Sequence, residues 1–127
     1  MLVGGLGADN LYGEENDDTL DGGLGDDVLD GGAGSDSVDY SYVDTEATYG
    51  GDGSLVLEIE ANLDGNTYVK IADGADAGTE LDIAEHDTMA SIENYKGYNG
   101  KDIVIGNSGK NTIYGMDGDD TISSGTN

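Results

Sequence analysis

An oxygen-bearing side chain recurs every nine residues in two stretches of this chain, a spacing suited to binding hard cations. Asp9, Asp18, Asp27 and Asp36 make the first series; Asp102, Asn111 and Asp120 make the second. Each stands at position six of a glycine-rich unit. The units GGLGADNLY, GEENDDTLD, GGLGDDVLD and GGAGSDSVD run in register from Gly4 to Asp39, and GYNGKDIVI, GNSGKNTIY and GMDGDDTIS resume it from Gly97. Carboxylate, amide and carbonyl oxygens are the donors a calcium ion gathers, six to eight of them in a flexible cage. Acidic runs are usually solvated surface, but surface does not require a carboxylate every nine residues within a fixed frame of glycines.

The elements that must position these acids follow from the rest of the unit. Glycine at positions one, two and four is expected to take positive φ and let neighbouring coils approach closely. Asn16, at position four of the second unit, is the non-glycine residue that best tolerates a left-handed conformation. Position eight is always aliphatic: Leu11, Leu20, Leu29, Val38, Val104, Ile113 and Ile122. Its neighbours are mostly polar, so each unit ends in a very short strand with one side chain in and two out. A fixed short period of this kind predicts a solenoid.

The units resemble the GGxGxDxUx repeat of RTX proteins, the haemolysin-type calcium-binding family, and seven of them make the match specific. The resemblance implies an all-β fold, a parallel β-roll in which two units make one coil. It also implies several calcium ions in stacked turns, held by the position-six aspartates and by backbone carbonyls, here those of Gly5, Gly7, Gly23, Gly25, Gly32 and Gly34. No single nine-residue turn supplies enough oxygens, so each ion should need units n and n+2. Asp9 should then share an ion with Asp27, Asp18 with Asp36, and Asp102 with Asp120. Asn111 would need a unit after residue 123, and residues 124–127 still keep the register. Lys101 and Lys110 at position five should weaken the second block, since a cation beside a cation site lowers affinity.

Composition supports a cation-binding reading. Against 28 acidic residues stand 4 basic ones, for a net charge of −24. Such a chain would ordinarily be disordered, so folding should be coupled to ion binding, with an expanded calcium-free state. Nucleic acid and anionic membrane are poor partners for this charge. Cysteine is absent, which excludes disulfides and thiolate metal sites. No apolar stretch approaches membrane-spanning length and no basic-then-apolar leader is visible. The resemblance implies type I export from a Gram-negative cell, unfolded inside at low calcium and folded outside on extracellular calcium.

Residues 40–96 break the register but carry strand patterns. Ser54–Leu63 and Thr67–Ile71 alternate around Asp64-Gly65-Asn66 and predict a hairpin, with Glu60 facing Lys70 if Gly65 is its centre. Leu81 and Ile83 suggest another short strand, and Met89 to Tyr95 a further one. The stretches SVDYSY (37–42), VLEIEANL and DTMASIENYKGYNGKDIVIG resemble an arrangement in serralysin-type proteases and large RTX adhesins. There wider coils continue the roll, and an S-I-E-N strand, here Ser91 to Asn94, leads back into repeats. Asp73 and Asp76 lie in ADGADAGTE, read as a flexible acidic loop. The expected organisation is one β-roll domain: a first block at 4–39, an irregular β insert at 40–96 and a second block at 97–127.

Catalysis finds no support in the sequence. His86 is the only histidine, and with Ser91 and an aspartate it would make a triad lacking any nucleophile elbow or oxyanion motif. The other expectation is calcium-dependent glycan or cell-surface binding through exposed Tyr12, Tyr68 and Tyr114, whose alignment on one face would favour it. Tyrosine in a half-buried strand position is the plainer reading. The open ends of an excised solenoid should fray or associate end to end with a second copy.

Overall fold

The computed structural model describes residues 1–41, 56–63, 65–72 and 82–125, with 56–57, 66–72 and 82–85 described through their backbone pairing. The described elements are all strands: β1 (Leu2–Leu6), β2 (Asn10–Tyr12), β3 (Thr19–Leu24), β4 (Val28–Asp30), β5 (Ser37–Asp39), β6 (Val56–Asn62), β7 (Asn66–Ala72), β8 (Asp82–Ala90), β9 (Asn94–Lys96), β10 (Lys101–Ile105), β11 (Thr112–Tyr114) and β12 (Thr121–Ser123). They form a five-stranded sheet ordered β1-β3-β5-β9-β11 and a seven-stranded sheet ordered β12-β10-β6-β7-β8-β4-β2. Successive nonapeptides fall alternately in the two sheets, so two units complete one coil and units n and n+2 lie side by side. Leu11 pairs with Leu29 and Leu20 with Val38, an offset of two units in parallel register. This is a parallel β-roll.

The insert supplies three strands to one sheet and one to the other. β6 lies parallel to β10, β8 parallel to β4, and β7 runs antiparallel between them. In the other sheet β9 follows β5 directly. The seven-stranded sheet is thus two strands wider, roughly 10 Å at ordinary strand spacing.

The hairpin is present, but its register differs from the expected one: Lys70 pairs with Glu58, and Glu60 with Tyr68. The Gly65 amide donates to the Asn62 carbonyl at 2.9 Å, closing the turn one residue earlier than a Gly65-centred turn would. Leu63 explains the shift. It is fully buried, and its amide donates to Ile105 across the sheet at 3.0 Å, so it belongs to the core. The strand expected from Met89 to Tyr95 is broken at Ser91, which takes φ 53° as the chain passes from one sheet to the other. Leu81 and the acidic loop of Asp73 and Asp76 lie outside the described residues.

Between the sheets runs the position-eight ladder. Leu11, Leu20, Leu29, Val38 and Val104 are buried, Ile113 is partly buried, and Ile122 on the outermost strand of its sheet is exposed. The insert contributes Ile59, Ala61, Leu63 and Met89, and beside them lie Tyr40, Ile92, Tyr95 and Tyr98. Tyr40 and Tyr95 pack as a tilted pair with ring centroids 5.9 Å apart. Tyr12 and Tyr114 are exposed but stand on different sheets, so they share no face; the Tyr68 side chain is outside the described residues.

Candidate metal centre

Each position-six aspartate immediately precedes its strand, except Asp102, which is the second residue of β10, and in three of them one carboxylate oxygen holds an amide of the neighbouring coil. Asp27 Oδ1 accepts the Asp9 amide at 2.8 Å, and Asp36 Oδ1 accepts that of Asp18 at 2.8 Å. Asp120 Oδ1 accepts the Asp102 amide at 3.0 Å. The three pairs expected from the n, n+2 rule are therefore brought together, each through one carboxylate oxygen. The other oxygen is left over. Oδ2 of Asp9, Asp27 and Asp36, and both carboxylate oxygens of Asp102, are buried without a hydrogen-bond partner. An ionised carboxylate is not held that way without compensation, because the lost hydration costs far more than one hydrogen bond returns. A cation in the turn would supply it, and the donor set suits calcium.

The glycines enforce this arrangement, though not all by the expected route. Those at position one do not take positive φ; they are glycines because nothing larger fits. A Cβ on Gly22, Gly97 or Gly115 would collide with the carboxylate of Asp27, Asp102 or Asp120 respectively. Position two follows expectation in the first block: Gly5, Gly23 and Gly32 have φ of 113°, 91° and 90°, while at position four Gly7 and Gly25 have 98° and 131°. Close approach is as expected too. A Cβ on Gly23, Gly25, Gly32 or Gly34 would strike the carbonyl of Gly5, Gly7, Glu14 or Asn16 one coil away. Asn16 takes φ 84°, and Glu14 and Met116 accept the left-handed region at position two.

Two further acids join the series. Asp87 Oδ1 accepts the Asp27 amide at 2.9 Å, and Glu93 Oε2 accepts that of Asp36 at 2.9 Å. The signal was legible in retrospect: Asp87-Thr88-Met89-Ala90 and Glu93-Asn94-Tyr95-Lys96 are the second halves of nonapeptides without their glycine turns. Met89 and Tyr95 occupy the position-eight register against Leu29 and Val38. Asp87 differs in one respect, since its Oδ2 accepts the Tyr40 hydroxyl. Beneath Asp102 the series stops, because its partner on β6 is Ile59.

Burial and the neighbouring acids shift the titration of several of these groups. Burial, then the charge of Asp120, pushes Asp102 up to about 7. Burial also outweighs the bonds from Tyr40 and the Asp27 amide at Asp87, which reaches about 6. Asp27 is raised mainly by burial, with the Asp9 amide opposing and the charges of Asp9 and Asp26 adding. Tyr95, whose buried hydroxyl sits beside Asp102 without reaching hydrogen-bonding geometry, is held well above its usual value by burial and then by that carboxylate. Lys101, expected to weaken the second block, reaches Glu58 on β6.

Two turns of the second block are built differently. Tyr98 and Asn107 at position two are buried and lack positive φ, as do Gly100 and Gly109 at position four. Asn111 donates through Nδ2 to the Glu93 carbonyl at 3.1 Å and to Asn107 Oδ1 at 2.8 Å. Among the described residues no three acidic or histidine side chains converge on one point. Oxygens for an ion must then come largely from stacked carbonyls, such as those of Gly5 and Gly7, which face Gly23 and Gly25.

The sequence carries the matching signature. A family model of the RTX calcium-binding nonapeptide repeat matches residues 3–38 and 96–126 in four copies, together more than half the chain. The chain belongs to the RTX calcium-binding repeat family. No curated protein and no solved structure matched it. As an RTX segment it is a calcium-binding module, and its family occurs in secreted proteins of Gram-negative bacteria. The two matched blocks bracket the residues that widen the seven-stranded sheet, so this RTX roll is two runs of repeats joined through a hairpin.

Proposed function

We propose that this module binds calcium between the paired turns of Asp9 and Asp27, Asp18 and Asp36, and Asp102 and Asp120, and becomes a rigid β-roll when it meets extracellular calcium after export. One observation carries this reading: a buried carboxylate oxygen without a donor recurs on Asp9, Asp27, Asp36 and Asp102. Calcium supplies the missing charge, and the glycine carbonyls of the stacked turns complete its shell. The first block binds more tightly, having glycine turns without lysine. The module stiffens its parent protein and performs no chemistry of its own; His86 is exposed on β8, with its backbone amide bonded to Asp26.

A calcium titration followed by circular dichroism, with magnesium as control, tests this. The expected result is a gain of β signal in calcium alone, because magnesium demands a smaller, octahedral shell and keeps its waters. A spectrum indifferent to calcium would overturn the reading.

A further inference from the structure

Two places flanking the hairpin do with side chains what an ion does elsewhere in the roll. The first is Asp87, which takes the position-six place beside Asp27. Its Oδ1 accepts the neighbouring coil's amide as the other acids do, but its Oδ2 is closed by the Tyr40 hydroxyl, and Tyr40 is only 1% exposed. The oxygen that stands open on Asp9, Asp27 and Asp36 is here already occupied.

The second is the turn at 106–111. Asn107 Nδ2 donates to the Ile92 carbonyl at 2.7 Å, and its Oδ1 accepts the Gly109 amide at 2.9 Å and Asn111 Nδ2 at 2.8 Å. Asn111 Nδ2 also donates to the Glu93 carbonyl. Carbonyls that would ligate a cation thus meet N–H donors, which consume their lone pairs and repel positive charge. Lys110 adds a cation next to Asn111. Asn111 Oδ1 stays without a partner, but one neutral oxygen is far from a cage of six to eight. The turn does not fit calcium.

Between these two clasps lie β8, β9 and the hairpin, with Tyr40, Ile59, Leu63, Ile92 and Tyr95 all at most 1% exposed. We propose that the Tyr40–Asp87 and Asn107–Asn111 clasps replace calcium in the middle of the roll, so that this centre is folded before any ion binds and calcium orders the outer coils. The proposal rests on the calcium reading of the aspartate-lined turns. Tyr40 and Asn107 are positioning residues for the roll and do not ligate an ion.

Hydrogen exchange of the whole chain, in chelator and then in calcium, tests it together with a calorimetric ion count. In chelator the amides of β8, β9 and the buried part of β6 should stay protected, while those of β1, β2 and β12 exchange freely. Calcium should then protect the outer strands. Asn107→Ala should remove the chelator-state protection of β9 and leave the ion count unchanged, since a clasp is lost and no ligand with it. Should that variant fail to fold in calcium, Tyr40→Phe reads the other clasp through protection of β8. Exchange of every strand in chelator, with recovery in calcium, would overturn the proposal and leave the calcium reading standing. A drop in ion count for Asn107→Ala would also overturn it. Exchange that ignores calcium everywhere would remove the calcium reading and this proposal with it.

Discussion

At Asp27 the two carboxylate oxygens have separate employers: Oδ1 holds the Asp9 amide of the coil before, and Oδ2 is buried with no donor. Gly22 makes that possible by leaving out a side chain. Gly22→Ala and Gly5→Ala should each cost about 1–3 kcal/mol, the first by crowding and the second by backbone strain at φ 113°. Only Gly22→Ala displaces the Asp27 carboxylate, so calcium titration should show the larger loss of affinity there. Protonation also bears on stability, and at Asp102 it would compete with an ion. Asp102 and Asp87 have folded values raised to about 7 and about 6, above an unfolded value near ~3.9. A raised acid favours folding while protonated, so this contribution is full below the unfolded value and lost as pH rises through 6 to 7. Asp39 runs the other way. Burial raises it, but bonds from Ser41 and Lys96 prevail and lower it, so its contribution is lost only as pH falls through its depressed value. Melting in chelator should therefore give a higher midpoint at pH 5 than at pH 8, and saturating calcium should erase or reverse the difference. Position six was readable from spacing, and its pairing from the resemblance to RTX repeats. The reason for glycine at position one was not, because it is a collision between groups five residues apart that only a folded turn reveals.

A three-residue strand has one inward side chain, so each coil depends on its position-eight residue and its neighbours. Leu20 is fully buried between flanking coils and Ile122 is about half exposed on the outermost strand. Leu20→Ala should cost about 2–5 kcal/mol, with Ile122→Ala well below that, in calcium-loaded denaturation. The strands of both blocks were legible because the nonapeptide period and strand alternation agree. The hairpin was legible as a hairpin but not in register, since a buried Leu63 moved the turn. Asp87 and Glu93 escaped because their half-units lack the glycine turn that announced the others. The break at Ser91 escaped because a single positive φ leaves no periodic trace.

Across the whole molecule, a charge of −24 opposes every coil that stacks, and under the calcium binding proposed above the ion is the term that reverses this. A site held at about 100 times its dissociation constant contributes about 2.7 kcal/mol to folding, so a few ions suffice to decide the state of a domain this size. Monovalent salt at equal ionic strength should restore much less structure than calcium does, because screening weakens repulsion without ligating the buried oxygens. Circular dichroism in chelator with and without added sodium chloride checks this. His86→Ala should leave the calcium midpoint unchanged, the residue being exposed and outside the aspartate pairs. The sequence by itself determined the repeating acids, the short strands and, through the resemblance to RTX repeats, the roll, because these are local and periodic: one turn, one inward residue and one carboxylate in each unit. Only the tertiary structure decided that Asp87 and Glu93 lie across from Asp27 and Asp36, that one sheet is two strands wider, and that Tyr40 bonds Asp87 and Asn107 bonds Asn111. The contacts across the insert join residues up to 60 positions apart through an aperiodic segment, and nothing in a nine-residue pattern specifies them.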